Sequence, residues 1–219
     1  MIIQNRKVCA FAVVVVLCLI SETMVSDAAK VGGRIKGSGN IGPTAVWIEG
    51  LPGVAVPAGN TTIKHVDGKF DPYLSIGFVG NEFIFRNEDE TLHNTHLYLR
   101  LGYQKTVPQR PLHYGATLYN VAQPKSGKEV KRPIKPYHRY RDDTGFIEIV
   151  CNPHPEEIAY MLVFDHPFAV MAQHDGSFTI PNVPAGRHEI RFWNNRTVTS
   201  WGFAEVKDEG VTDLLIELE

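Results

Sequence analysis

The sequence predicts an all-β chain built as a sandwich of antiparallel strands. Three observations carry that expectation. The 19 glycines and 14 prolines are spread along the chain, which favours short strands joined by turns over long helices. Nine segments alternate apolar and polar residues or are rich in β-branched and aromatic ones. No stretch sustains a helical period, so the period-2 signal stands without a competitor.

The strands expected, in order, are Thr44 to Ile48, Thr61 to Val66, Glu82 to Arg86, Thr95 to Arg100, Gly145 to Cys151, Tyr160 to Phe164, Ser177 to Ile180, His188 to Trp193 and Thr212 to Leu218. Turn chemistry separates them at Asp67-Gly68, Val79-Gly80-Asn81, Asp175-Gly176, Pro184-Ala185-Gly186 and Glu209-Gly210, where glycine supplies the left-handed backbone that tight turns need. At 43% hydrophobic and 21% charged residues over 219 positions, the chain has globular proportions. A net charge of −2 excludes a polycation built for nucleic acid.

The first 28 residues read as an address. Arg6 and Lys7 precede an unbroken apolar run from Val8 to Ile20, and small residues follow at Ser26 and Ala28. That is a secretory signal with a cut after Ala28, and an uncleaved anchor is the alternative. A lipid-anchored reading of Cys18 fails because the large Leu17 precedes it. The expectation is a secreted, periplasmic protein with no membrane span once the signal is removed. Removal takes away Cys9 and Cys18 and leaves Cys151. A single cysteine cannot close an internal disulfide, so it is a free thiol, an intermolecular bridge or a metal thiolate.

Charge is unevenly placed. Between Arg100 and Arg141 there are ten basic residues against Glu129 alone, interspersed with Pro and Tyr. This stretch, about residues 101–141, is expected as a basic, partly irregular excursion from the sandwich. It reads as a solvated surface, or as a docking surface for an acidic partner.

The chemistry gathers around Cys151-Asn152-Pro153-His154-Pro155 and, about sixty residues upstream, His93-Asn94. Two imidazoles and one thiolate, with a weak axial donor, are what a one-electron copper site requires. Cys151-x-x-His154-Pro155 with His93-Asn94 resembles the cupredoxins, the blue copper proteins, and within them the amicyanin-like methylamine utilization group. Phe70-Asp71-Pro72, Gly80-x-x-Phe83-x-Phe85-x-Asn87 and the stretch Phe146 to Phe168 extend the resemblance over roughly 43–168. It implies a Greek-key sandwich holding one type 1-like copper through His93, Cys151 and His154. It also implies a backbone amide at Asn94 bonded to the cysteine sulfur, a contact that tunes such a metal.

The axial position departs from that pattern. The run is His154-Pro155-Glu156-Glu157, so Glu157 stands where the resemblance implies methionine. A carboxylate is harder than a thioether and favours Cu(II). Three arrangements stay open: Glu157 as axial donor, Met161 in its place, or neither. His96 lies on the face of its strand opposite His93 and reads as a packed or surface imidazole. His65, His113, His138, His166, His174 and His188 read for the most part as ordinary surface residues.

The tail from 169 to 219 differs. Asp175-Gly176-Ser177-Phe178-Thr179-Ile180 followed by Val183-Pro184-Ala185-Gly186 is similar to carboxypeptidase regulatory-like β modules. Residues 29–42 form an N-terminal strand or linker, and Gly33 to Gly37 could supply this segment with a partner strand. Phe178, Ile180, Ile190, Phe192 and Trp193 read as its core.

These expectations combine into a periplasmic electron carrier that takes electrons from, or gives them to, a redox partner such as a cytochrome, dehydrogenase or oxidase. Copper binding or delivery without redox turnover is the alternative, supported by the charged Glu156-Glu157 pair, and a metal-free structural module is the third reading. Zinc suits one cysteine, two histidines and a glutamate as well. An enzyme is not expected: there are no paired acid/base carboxylates with a pocket, no P-loop and no Rossmann fingerprint.

Overall fold

In the computed structural model, residues 29–51, 54–100, 114–136 and 146–218 are described. The expected signal segment, His113, His138 and much of the basic stretch lie outside these residues. Every regular element among the described residues is a strand, and no helix there is long and apolar enough to cross a membrane. The strands are β1 (Lys30–Lys36), β2 (Thr44–Ile48), β3 (Thr61–Val66), β4 (Lys69–Asp71), β5 (Leu74–Phe78), β6 (Glu82–Asn87), β7 (His93–Arg100) and β8 (Tyr114–Gln123). They continue as β9 (Glu129–Pro133), β10 (Phe146–Val150), β11 (Ile158–Phe164), β12 (Ala169–Met171), β13 (Ser177–Ile180), β14 (Gly186–Asn194), β15 (Thr197–Val206) and β16 (Val211–Glu217).

Two sandwiches result. One faces the sheet β5-β11-β10-β7-β8 against β4-β3-β6-β9. Its core is Ile63, Phe83 and Phe85 from one side and Leu97, Val121, Ile147, Ile149, Ala159 and Met161 from the other. The second faces β13-β1-β16 against β12-β2-β14-β15. Val31, Ile35, Phe178, Ile180, Leu214 and Ile216 there meet Val46, Ile48, Ile190, Phe192, Ala204 and Val206.

The all-β expectation holds, with three differences. First, the sheets are mixed: β1 runs parallel to β16, β5 to β11 and β3 to β6. Each parallel pair joins strands whose connection passes through the opposite sheet, which a hairpin cannot do. Second, Thr44–Ile48, read from the sequence as part of the 43–168 segment, pairs with β12 and β14 of the other sandwich. Third, part of the basic stretch is integral to the sheets. β8 pairs with β7 and β9 with β6.

The sandwiches meet through a third apolar cluster. Ala45, Trp47 and Trp193 pack on Leu74, Phe146, Tyr160, Leu162 and Phe164. The Trp193 ring lies 5.2 Å from Tyr160 and 6.2 Å from Phe146, and Trp47 lies 5.4 Å from Phe164. β2 is therefore covered on both faces, and every residue of Thr-Ala-Val-Trp-Ile is buried. A strand covered on both sides reads as a continuous apolar run rather than an alternation. Glu148, buried at this junction, is met by the Arg196 guanidinium at 3.6 Å.

β1 occupies the middle of its sheet, hydrogen-bonded to β13 and β16. A Cβ on Gly33 would stand 2.3 Å from the Leu214 carbonyl oxygen and 2.9 Å from the Phe178 ring. The obstacle is backbone in a paired strand, so it cannot move aside. Gly33→Ala is expected to lower stability by about 1–3 kcal/mol. An unchanged urea midpoint would contradict this packing.

His166 is buried, and its Nδ1 accepts the Phe168 amide at 3.2 Å. Burial lowers its pKa below the ordinary imidazole value, against the opposing pull of Asp165 and Glu49. As pH falls below about 6.5, the unfolded chain takes up a proton that the folded one refuses. Stability is therefore full above that pH and declines below it, by at most about 1.4 kcal/mol per pH unit for this group. His166→Gln is expected to flatten the acid limb of a plot of Tm against pH.

Candidate metal centre

The site lies at one end of the first sandwich, where β10 turns into β11 and β7 begins. The turn is tightly closed by backbone bonds. The Cys151 amide donates to the Glu157 carbonyl (3.3 Å), His154 to Cys151 (3.2 Å) and Glu157 to His154 (3.0 Å). A loop folded this way brings side chains three residues apart toward one point. Pro153 and Pro155 are exposed on its outside and fix φ there.

Four residues singled out from the sequence come together. Cys151 Sγ lies 3.6 Å from His93 Nδ1 and 3.5 Å from His154 Nδ1, and the two Nδ1 atoms lie 3.2 Å apart. The Glu157 carboxyl joins them, with Oε2 at 3.1 Å from His93 Nδ1 and Oε1 at 3.5 Å from His154 Nδ1. Cys151, His93 and Glu157 are buried, and the His154 side chain is 33% exposed. Met161 lies elsewhere. It is fully buried in the apolar core of the sheet, with its sulfur near Gly77 on β5. Glu156 is exposed.

The sequence reading missed His65. It is not a surface residue but is fully buried. His65, His93, Cys151 and Glu157 place one donor atom each within 4.8 Å of one another. His65 Nδ1 is 3.0 Å from Glu157 Oε2, and its ring stacks on His93 at 4.3 Å between centroids. The signal was present in the alternation of β3, which puts Ile63 and His65 on the same inward face. Burial, then the neighbouring His93, pushes the His65 pKa down to about 3, so the ring is neutral at ordinary pH. His96, as expected, points to the other face of β7. It is buried there between Asn152 Oδ1 (3.1 Å) and Thr117 Oγ1 (3.0 Å).

A second layer holds these donors. His93 Nε2 is 3.1 Å from Asp89 Oδ2 and 3.0 Å from Thr91 Oγ1, which turns Nδ1 toward the cysteine. Asp89 is itself held by the Asp67-Gly68 turn, whose amides donate to its two oxygens at 2.8 and 3.1 Å. Both turn residues have positive φ, 53° and 68°. Burial alone would push Asp89 up. The Gly68 and Asp67 amides and His93 outweigh it and hold the carboxyl below its usual range. Such partners fix ring orientation and raise donor strength in metal sites. The Asn94 side chain ties the loop to β7. Its Oδ1 accepts from the Asn152 amide (2.6 Å), and its Nδ2 donates to Asn120 Oδ1 (2.7 Å).

Burial raises the Cys151 thiol above its usual pKa. The backbone amides of Asn94 and His154 pull it back toward the thiolate, and Glu157 adds to the rise. Sulfur, carboxyl and imidazole donors converge there in a largely buried group, an arrangement that a cation would satisfy. The donor separations fit one. Edges of 3.2–3.6 Å are those of a trigonal or tetrahedral set around an ion with bonds of about 2.0–2.3 Å. The buried histidine–cysteine–glutamate group thus fits a copper site, and the chemistry of the set is that of sulfur and imidazole donors.

No protein-family model matches the chain, and no curated protein matches it. Among solved structures it is similar to mutants of amicyanin. A reduced Cu(I) form at pH 4 is 17% identical, with a TM-score of 0.33. A reduced state of a second mutant is 16% identical with a TM-score of 0.34, and an oxidized third is 15% identical with a TM-score of 0.33. In each case the similarity covers 54% of this chain and 98% of the other.

Proposed function

We propose that the protein is a cupredoxin-like, copper-binding electron carrier. His93 Nδ1, Cys151 Sγ and His154 Nδ1 would hold one copper, with Glu157 as fourth donor. The observation that carries this reading is the convergence of those three atoms within 3.2–3.6 Å of one another at the end of a rigid sandwich. Copper there would alternate between Cu(I) and Cu(II). The rest is the work of the chain. Cys151 gives up its thiol proton on binding, the Asn94 and His154 amides face its sulfur, and Asp89 and Thr91 keep His93 from rotating. Because the donors are set before binding, little reorganisation accompanies a change of charge.

His154 is the donor that reaches the surface, being 33% exposed where Glu157 is 3%. Electrons would cross its edge to a docked redox partner, a cytochrome, dehydrogenase or oxidase. The segment 1–28, read as a secretory signal, supports a periplasmic location. No substrate chemistry is proposed. The exposed Glu156 beside His154 favours a second reading, copper binding or delivery without redox turnover.

The test is to load residues 29–219 with Cu(II) and record the visible spectrum during a titration with ascorbate. An intense band at one copper per chain, bleached by reductant and restored by air, is the expected result. A stoichiometric copper adduct whose band does not cycle would move the function to delivery. A colourless protein that prefers zinc would overturn the copper reading.

A further inference from the structure

The described residues hold a second buried polar chain, leading into Glu157 from the side away from solvent. With the Gln123 amide oriented so that its nitrogen donates to Thr95 Oγ1 (2.6 Å), its oxygen accepts the amides of Arg86 (3.0 Å) and Asn87 (3.1 Å). Thr95 Oγ1 then has its proton free for His65 Nε2, 3.4 Å away. His65 Nδ1 is left as the N–H, 3.0 Å from Glu157 Oε2. A metal-bound carboxylate has no proton to give, so the Nδ1–H must be the donor in that contact.

We propose that His65 is the positioning residue of this centre: its Nδ1–H grips Oε2 of Glu157 and holds that carboxylate against His93, Cys151 and His154. The proposal rests on the metal reading above. Its ground is geometric. Glu157 side-chain exposure is 3% and that of His65 is zero. The His65 ring is wedged between Phe70, at 4.1 Å, and His93, at 4.3 Å, so it cannot swing away. A buried carboxylate kept without such a donor would carry an unmet acceptor. The loop carrying Glu157 is short, but its side chain has rotamers that leave the cluster, and the His65 contact selects the one that stays. His65 thereby decides that a hard oxygen donor is offered beside the thiolate.

The experiment compares His65→Asn, His65→Gln and His65→Leu with Glu157→Gln in copper-loaded protein. The asparagine amide nitrogen can take the place of Nδ1, whereas the glutamine nitrogen falls nearer Nε2 and misses Glu157. The readouts are the visible and EPR spectra, the reduction potential and the Cu(II) affinity, with far-UV circular dichroism as the folding control. The expected result is that His65→Leu and His65→Gln shift spectrum and potential the same way as Glu157→Gln. His65→Asn should stay near wild type, and the double variant His65→Gln/Glu157→Gln should add nothing to Glu157→Gln. A tenfold loss of preference for Cu(II) over Cu(I) corresponds to about 59 mV. If His65→Leu fails to fold, the Asn and Gln pair still decides.

Three outcomes overturn the proposal: wild-type spectra and potential in His65→Gln, additive shifts in the double variant, or magnetic couplings showing three bound imidazoles, which would make His65 a ligand. Failure of the wild type to form the copper–thiolate band would instead sink the functional reading, and the role of His65 with it.

Discussion

Cys151→Ser is expected to erase the whole intense visible band of the copper-loaded protein while leaving its far-UV spectrum unchanged. The band can arise only from charge transfer out of a thiolate, and Cys151 is the cysteine that lies among His93, His154 and Glu157. Serine keeps the shape of the side chain but offers a hard hydroxyl that does not ionise in a buried site. The softness that stabilises Cu(I) is lost with the sulfur. Copper affinity should fall by more than the roughly 10–100-fold typical of losing an outer partner. The measurement is absorbance per bound copper, with metal content determined independently. A band of undiminished intensity in the serine variant would remove Cys151 from the centre.

Glu157→Met should raise the reduction potential by at least the ~59 mV that a tenfold change in redox-state preference represents for one electron, and move the absorption toward plain blue. The sign follows from charge. Thiolate and carboxylate together neutralise Cu(II), whereas Cu(I) leaves the buried site with a net negative charge, so the carboxylate favours the oxidised state. A thioether is neutral and soft and reverses that preference. The substitution also leaves the His65 Nδ1–H, now 3.0 Å from Oε2, without an acceptor, at a cost of about 1–3 kcal/mol in stability. Cyclic voltammetry and thermal unfolding of the same sample read both effects. A potential that stays or falls would show that Glu157 does not face the ion.

Much of the architecture was legible because its strands carry their own signals. Thr44–Ile48 and Thr61–Val66 have the bounds expected from β-branched and apolar patterning. The Asp67-Gly68 turn stands where its dipeptide predicted. Strands with less amphipathic contrast were missed. Leu74–Phe78 alternates, but only with the small Ser75 and Gly77 between its apolar residues, and Ala169–Met171 is just three residues long. Thr197–Val206 lies at a sheet edge with much of its surface exposed. Which sandwich a strand joins was not legible at all. β2 reads as an ordinary strand, and its pairing with β12 and β14 depends on residues more than a hundred positions away.

The sequence by itself carried the all-β class and the loop that presents Cys151, His154 and Glu157, both of which follow from local patterning and spacing. His93 was singled out by the resemblance to the cupredoxins, since nothing in the spacing separates it from the other histidines. Only the tertiary structure decided the rest. It drew His65 from β3 into the cluster, buried Glu157 rather than leaving it in solvent beside Glu156, and placed Met161 in the apolar core. A histidine on an inward-facing strand position is silent in the sequence, because its role depends on what the opposite sheet places within 3 Å of it. That distance is set by packing Phe70, Phe85 and Ile149 into one core, which local pattern does not encode.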